Sequence, residues 1–154
     1  MDLSDLIPEG GAVVDMPATG RKQVLHALAE LAGRRLGVSA RPVLEAVTER
    51  ERLGSTGVGD GVAIPHARTP LVDRTCGVFA RLRQPVDFDA VDGRPADLIF
   101  LLLAPEDAGA EHLKALARAS RLFRRDDVRR ALRAAPDADA LQAILAGAVK
   151  TDAA

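Results

Sequence analysis

The chain has 154 residues, 47% of them hydrophobic and 28% charged, with a net charge of −1, which suits one folded domain with its own core. Its single cysteine, Cys76, cannot form an internal disulfide or a Cys-based zinc site, so a disulfide-stapled secreted scaffold is excluded. With 21 basic against 22 acidic residues and four Phe as the only aromatics, nucleic-acid binding has neither a basic surface nor a stacking platform to use.

The first residues are acidic and lack the basic start and long apolar run of a signal peptide, so a cytoplasmic location is expected. Gly10 to Met16, with Ala12, Val13 and Val14, suits a first strand. From Gly20 to Leu36 the residues Val24, Leu25, Leu28, Leu31, Ala32 and Leu36 recur at helical spacing, and Gly37 ends the run. A second helix is predicted from Ser39 as N-cap, with Pro42 in its first turn, Val43, Leu44 and Val47 on its apolar side, and an end before Gly54.

Gly54-Ser55-Thr56-Gly57-Val58-Gly59-Asp60-Gly61 carries four glycines in eight residues, which predicts a loop with unusual dihedrals or close approach to something else. It is not a P-loop, because Asp60 stands where the phosphate-gripping Lys belongs. It is not a dinucleotide fingerprint either, because the glycines read G-x-G-x-G and follow a helix. Beyond it, Val62 to Ile64 is a short strand cut off by Pro65, and Gly77 to Leu82 is β-rich. Val86 to Gly93 reads as a short strand and an Asp-Gly turn.

Asp97 to Ala104 is apolar after its first residue and implies a strand buried on both faces; its apolar run is far too short to cross a bilayer. The last third is helical, as Glu111 to Arg124 with Leu113, Leu116, Ser120 and Phe123 at helical spacing, then Asp126 to Ala134, then Asp139 to Val149. The order predicts a single α/β domain over residues 1–149, a central mixed β-sheet with helices on both faces, and a disordered tail at 150–154.

Candidate chemistry centres on His66. Pro65 restricts Ile64 to an extended conformation and removes a donor, so His66 should sit with little freedom at the end of a short strand and at an edge. Neutral imidazole has a lone pair at pH 7 and attacks phosphorus readily. Phosphoryl transfer asks a protein mainly for positioning and charge stabilisation. The nearby guanidinium candidates are Arg50, Arg52 and Arg68.

The string from Arg50 through Gly54-Ser-Thr-Gly-Val-Gly-Asp-Gly-Val-Ala-Ile-Pro-His66 resembles the signature of the type 2 enzyme IIA domains of the bacterial phosphotransferase system, the fructose, mannitol and nitrogen-regulatory group. The likeness continues through Val78-Phe79, Pro85 to Gly93, Asp97 to Pro105 and His112-Leu113, nearly the whole chain. It implies that family's fold and a phosphotransferase component that works as a carrier through a phosphohistidine intermediate, without metal or cofactor.

Carried over residue by residue, the likeness makes His66 the phosphoryl acceptor, Arg50 the phosphoryl clamp and His112 the second active-site histidine. Gly54, Ser55, Thr56, Gly57 and Gly59 would form the phosphoryl-binding loop. Ala67 departs from the glycine common there. The implied donor is an HPr-like phosphocarrier; from the composition, no nucleic-acid partner and no membrane insertion are expected. The nitrogen-regulatory branch, controlling protein targets by phosphorylation state, fits a chain with neither a spanning segment nor a Cys-centred IIB-like loop. The alternatives are a separate fructose or mannitol IIA subunit that passes phosphate to a IIB domain, and an interaction module that is never phosphorylated.

His112, in the first turn of a helix, reads on its own as a surface residue that the helix terminus keeps neutral. His26 reads as a surface or packing histidine, and Cys76 as an inert, partly buried thiol. The basic run from Arg121 to Arg133, broken by Asp126 and Asp127, reads as a solvated helix face.

Overall fold

In the computed structural model, which describes residues 3–148, six strands form one mixed sheet. They are β1 (Ala12–Met16), β2 (Gly57–Gly59), β3 (Val62–Ala63), β4 (His66–Arg68), β5 (Cys76–Val86) and β6 (Ala96–Ala104). The helices are α1 (Arg21–Leu36), α2 (Ala40–Leu53), α3 (Gly109–Arg124), α4 (Asp126–Ala134) and α5 (Ala138–Ala143), the last continuing into a π-helical turn, Ile144–Ala148. The expected tail at 150–154, and Val149, lie outside the described residues.

Strand β6 is the spine. It pairs antiparallel with β5 on one side and parallel with β3 and then β4 on the other, while β1 lies parallel to β5 and β2 antiparallel to β3. Its side chains alternate between two cores, as the two-fold period of a strand requires. Ile99, Leu101 and Leu103 enter the core under α1 and α2, and Leu98, Phe100 and Leu102 enter the core under α3, α4 and α5. This is the expected sheet with helices on both faces, and the apolar run of the sequence is apolar because neither face meets water.

Helix α1 buries Val24, Leu25, Leu28, Ala29, Leu31 and Ala32 and ends at Gly37, whose φ of 72° is the left-handed C-terminal conformation. Ser39 occupies the N-cap of α2 as expected, yet its side chain makes no capping bond. Asp137 does cap α5, accepting the Ala140 N–H at 2.9 Å. No helix among the described residues is long and apolar enough to cross a membrane.

Four expectations need correction. The glycine-rich stretch does contain a regular element: Gly57 and Gly59 pair with β3, and the turn closes through left-handed residues Gly59 (φ 92°), Asp60 (57°) and Gly61 (78°). A two-strand ladder uses backbone groups alone, so side-chain-poor residues do not forbid it. His66 opens a second short strand, β4, after Ile64-Pro65 interrupts the pairing along β6.

Of the short strand and Asp-Gly turn expected over 86–93, only Val86 belongs to a strand, because Asp side chains capture the local donors, while the turn is present with the Gly93 N–H on the Ala90 carbonyl at 3.0 Å. The Asp87 carboxylate takes the Asp89 N–H at 2.7 Å, and that of Asp92 takes the Arg94 N–H at 3.0 Å and, from the turn after β2, the Asp60 N–H at 2.9 Å. Finally, α3 buries His112, Ala115, Ala119, Leu122 and Phe123, leaving Leu113 67% exposed.

Candidate functional site

The open edge of β4 is where the two helical layers meet. A cavity of about 770 Å³ lies there, walled by Arg50 and Leu53 from α2, His66 and Arg68 from β4, and His112 and Leu113 from α3. Ala46, Glu49, Ala67, Glu106, Gly109 and Leu116 complete its lining. His66, Arg50 and His112, far apart in the chain, therefore share one cavity.

The reactive geometry is set at His66. Its Nδ1 lies 2.8 Å from the Ile64 carbonyl oxygen, and a carbonyl only accepts, so Nδ1 carries the proton and Nε2 carries the lone pair. Burial lowers the pKa of the ring below 6.5; the bond to Ile64 opposes this, the Arg50 charge adds to it, and the Glu51 carboxylate opposes it. The imidazole is thus neutral at pH 7, with a lone pair on Nε2. Its partner ring, His112, lies 5.4 Å away between centroids and is tilted by 50°.

His112 is 7% exposed, so the structure replaces the surface reading with a buried one. Its Nδ1 is buried without a hydrogen-bond partner. Its pKa falls to about 4, first through burial and then through the charges of His66 and Arg68; the helix terminus proposed from the sequence is not among these causes. In a neutral ring one nitrogen donates and the other accepts, so a proton on Nε2 would make that nitrogen the donor of His112.

This burial has a measurable cost. Below pH 6.5 the unfolded chain takes up a proton on residue 112 that the folded chain refuses until about pH 4, so stability drops as pH falls through that window. Denaturant unfolding at pH 7 and pH 5 should show a loss of roughly 2 kcal/mol attributable to this residue, which His112→Asn removes. An unchanged pH dependence in the variant would show that His112 titrates normally.

The guanidinium candidates separate. Arg50 lines the cavity and gives one N–H to the Gly54 carbonyl at 2.9 Å, keeping its other donors. Arg68 lines it from β4, whereas Arg52 is exposed, pairs with Glu49 at 3.1 Å and lies outside it. None of Gly54, Ser55, Thr56, Gly57 and Gly59 lines the cavity.

These loop residues are engaged elsewhere. The Ser55 hydroxyl donates to the Phe88 carbonyl and the Thr56 hydroxyl to the Glu51 carboxylate. A Cβ on Gly57 would lie 3.0 Å from Ala90, and one on Gly59 would lie 3.1 Å from Asp92. The loop thus braces the 88–92 segment and reaches Arg50 only through the Gly54 carbonyl. Ala67 points its methyl into the core, pairing with Leu103 of β6.

His26 is exposed and lies 3.1 Å from Glu30, and Cys76 is buried at the start of β5, with burial pushing its thiol up to about 11. The basic run is largely engaged: Arg129 and Arg133 reach Asp60 and Asp97, and Arg125 pairs with Asp127. No cluster of His, Cys, Asp or Glu suited to a metal occurs among the described residues.

Sequence reasoning missed Glu51, whose side chain is 6% exposed. The signal was available, because Val43 and Val47 are buried on α2 and position 51 continues their four-residue step with a carboxylate. It also missed the apolar rim of Leu53, 80% exposed, and Leu113.

Residues 6–148 match the family model described as phosphoenolpyruvate-dependent sugar phosphotransferase system, EIIA 2. A nitrogen regulatory protein of Bradyrhizobium diazoefficiens is 47% identical over 95% of this chain and 95% of its own length. One from Pseudomonas aeruginosa is 42% identical over 93% and 94%. Among solved structures, the crystal structure of nitrogen regulatory protein IIA-Ntr from Neisseria meningitidis superposes with a TM-score of 0.86 at 40% identity, covering 93% of this chain and 98% of that one.

Proposed function

Because the chain belongs to the EIIA type 2 family of the phosphoenolpyruvate-dependent sugar phosphotransferase system, we propose that it is a cytoplasmic phosphoryl carrier of the nitrogen-regulatory branch, with His66 as acceptor. The observation that carries this reading is the Nδ1–H bond to Ile64, which leaves a bare Nε2 on a ring that lines the cavity with Arg50 and His112.

In the transfer, the Nε2 lone pair forms the new N–P bond as the donor's N–P bond breaks, and that electron pair returns to the donor's ring nitrogen. The Nδ1 proton stays where it is. The Arg50 guanidinium and the His112 Nε2–H meet the charge on the equatorial oxygens, the stabilisation on which phosphoryl transfer depends. The donor is an HPr-like phosphocarrier protein. Its targets are proteins regulated by its phosphorylation state, a role that the name of the nitrogen regulatory relatives suggests.

Incubation with phosphoenolpyruvate, enzyme I and an HPr-type carrier tests this. The expected product is an acid-labile phosphate with phosphorus on Nε2 of His66, and no label under any of these donors overturns the reading. Arg50→Ala should slow transfer more than about tenfold while leaving the fold intact, since a charged donor on the transferred group contributes a few kcal/mol. Wild-type rates in that variant would remove Arg50 from the site. Co-purification with a IIB domain instead of regulatory proteins would favour the sugar-uptake alternative.

A further inference from the structure

Glu51 is the carboxylate of α2 whose side chain is withdrawn from solvent, and it is not idle. Its Oε2 lies 3.4 Å from Arg21, and its Oε1 accepts the Thr56 hydroxyl. Thr56, itself 4% exposed, accepts the Ile64 N–H on its carbonyl at 2.9 Å. The Ile64 carbonyl in turn accepts the His66 Nδ1–H at 2.8 Å. Hydrogen bonds joined through the Thr56 and Ile64 residues thus link the α1 guanidinium to the imidazole: Glu51 anchors Thr56, Thr56 holds the Ile64 N–H, and Ile64 presents its carbonyl to His66.

The orientation matters because free neutral histidine prefers its proton on Nε2, the wrong nitrogen for an Nε2 nucleophile. A carbonyl aimed at Nδ1 reverses that preference. Pro65 cannot donate, so the Ile64 peptide receives no help from its successor; its angle is set from the Thr56 side. We propose that Glu51 is a positioning residue, which through Thr56 and the Ile64 carbonyl holds His66 in the tautomer with a free Nε2. This rests on the reading of His66 as acceptor and adds to it a carboxylate that never touches phosphate.

The test uses the full chain. Ring-nitrogen NMR on the unphosphorylated protein above pH 7 reads the tautomer without any donor, and should show a single form protonated on Nδ1. In Glu51→Ala the ring signals should shift to a mixture of forms, and transfer at saturating phosphodonor should fall roughly tenfold with unchanged half-saturation.

Glu51→Gln keeps an acceptor for the Thr56 hydroxyl and should restore both tautomer and rate to within about twofold. Thr56→Val should reproduce the alanine defect and Thr56→Ser should not, which decides the matter if Glu51→Ala fails to fold. A wild-type ring protonated on Nε2, or folded Glu51→Ala and Thr56→Val proteins with wild-type tautomer and rate, overturns the proposal. A fixed Nδ1–H tautomer in a wild-type chain that no donor phosphorylates overturns the carrier reading instead, so the two failures are distinguishable.

Discussion

Replacing His66 with alanine is expected to reduce phosphorylation by a phosphocarrier to background, a loss of roughly a thousandfold or more. No neighbouring group can substitute in place. His112 is the one other imidazole in the cavity, but its ring is 7% exposed and its Nδ1 is buried without a partner. His26 lies exposed on α1, outside the cavity, so His26→Ala should label like wild type.

The fold should survive the change. The part-buried His66 ring donates a hydrogen bond to the Ile64 carbonyl, a net contribution of about 1 kcal/mol. A matched pair of measurements decides: acid-labile phosphate by gel or mass spectrometry, and Tm by calorimetry. Label retained on the folded alanine variant would move the acceptor to another residue.

The largest loss of stability is expected from Phe100→Ala, about 3–5 kcal/mol against a total of about 5–15 for a domain of this kind. Phe100 is fully buried on β6, and its ring lies 6.0 Å from Phe123, which itself stacks on Phe79 at 5.9 Å. Its edge also fills the space over Gly77, where a Cβ would come within 2.7 Å of the ring and 2.5 Å of the Leu101 carbonyl. Truncation would leave a cavity between β5, β6 and α3 that rigid backbone on one side cannot close. Denaturant unfolding should show the midpoint falling sharply at constant m; a loss under about 1 kcal/mol would mean the site collapses.

Much of this architecture was legible because its signals are local. Gly37 at the end of α1, the six-residue apolar stripe before it and the uninterrupted run of β6 each report their own environment. The Pro65-His66 pair marked the acceptor candidate and an edge position, and Arg50 and His112 were found through family resemblance; the structure brings the three into one cavity. What escaped were properties that depend on partners distant in sequence. The glycine-rich turn gains strand character from Val62 and Ala63 opposite it, and stays out of the lining of the His66 cavity, with Ser55 and Thr56 bonded to Phe88 and Glu51.

Leu113 followed the helical period yet faces outward, since His112, one position earlier, takes the buried slot. The neutrality of His112 was anticipated, but from the helix terminus; burial leads instead. No local pattern announces how deeply a helix start is set against a neighbouring strand.

The pairing order of the sheet also governs how the chain can be made. Strand β1 has β5 as its partner, so Ala12 waits for Phe79, and β3 and β4 wait for β6. The last turn closes back on the first residues, where the Leu3 N–H meets the Leu145 carbonyl at 2.9 Å. A nascent chain emerging from the ribosome therefore carries α1, α2 and the His66 segment with no sheet beneath them until β5 and β6 have been synthesised. Contacts this distant in sequence slow folding and leave apolar helix faces uncovered in the interval, so the cavity around His66 can form only after β6 and α3 have emerged.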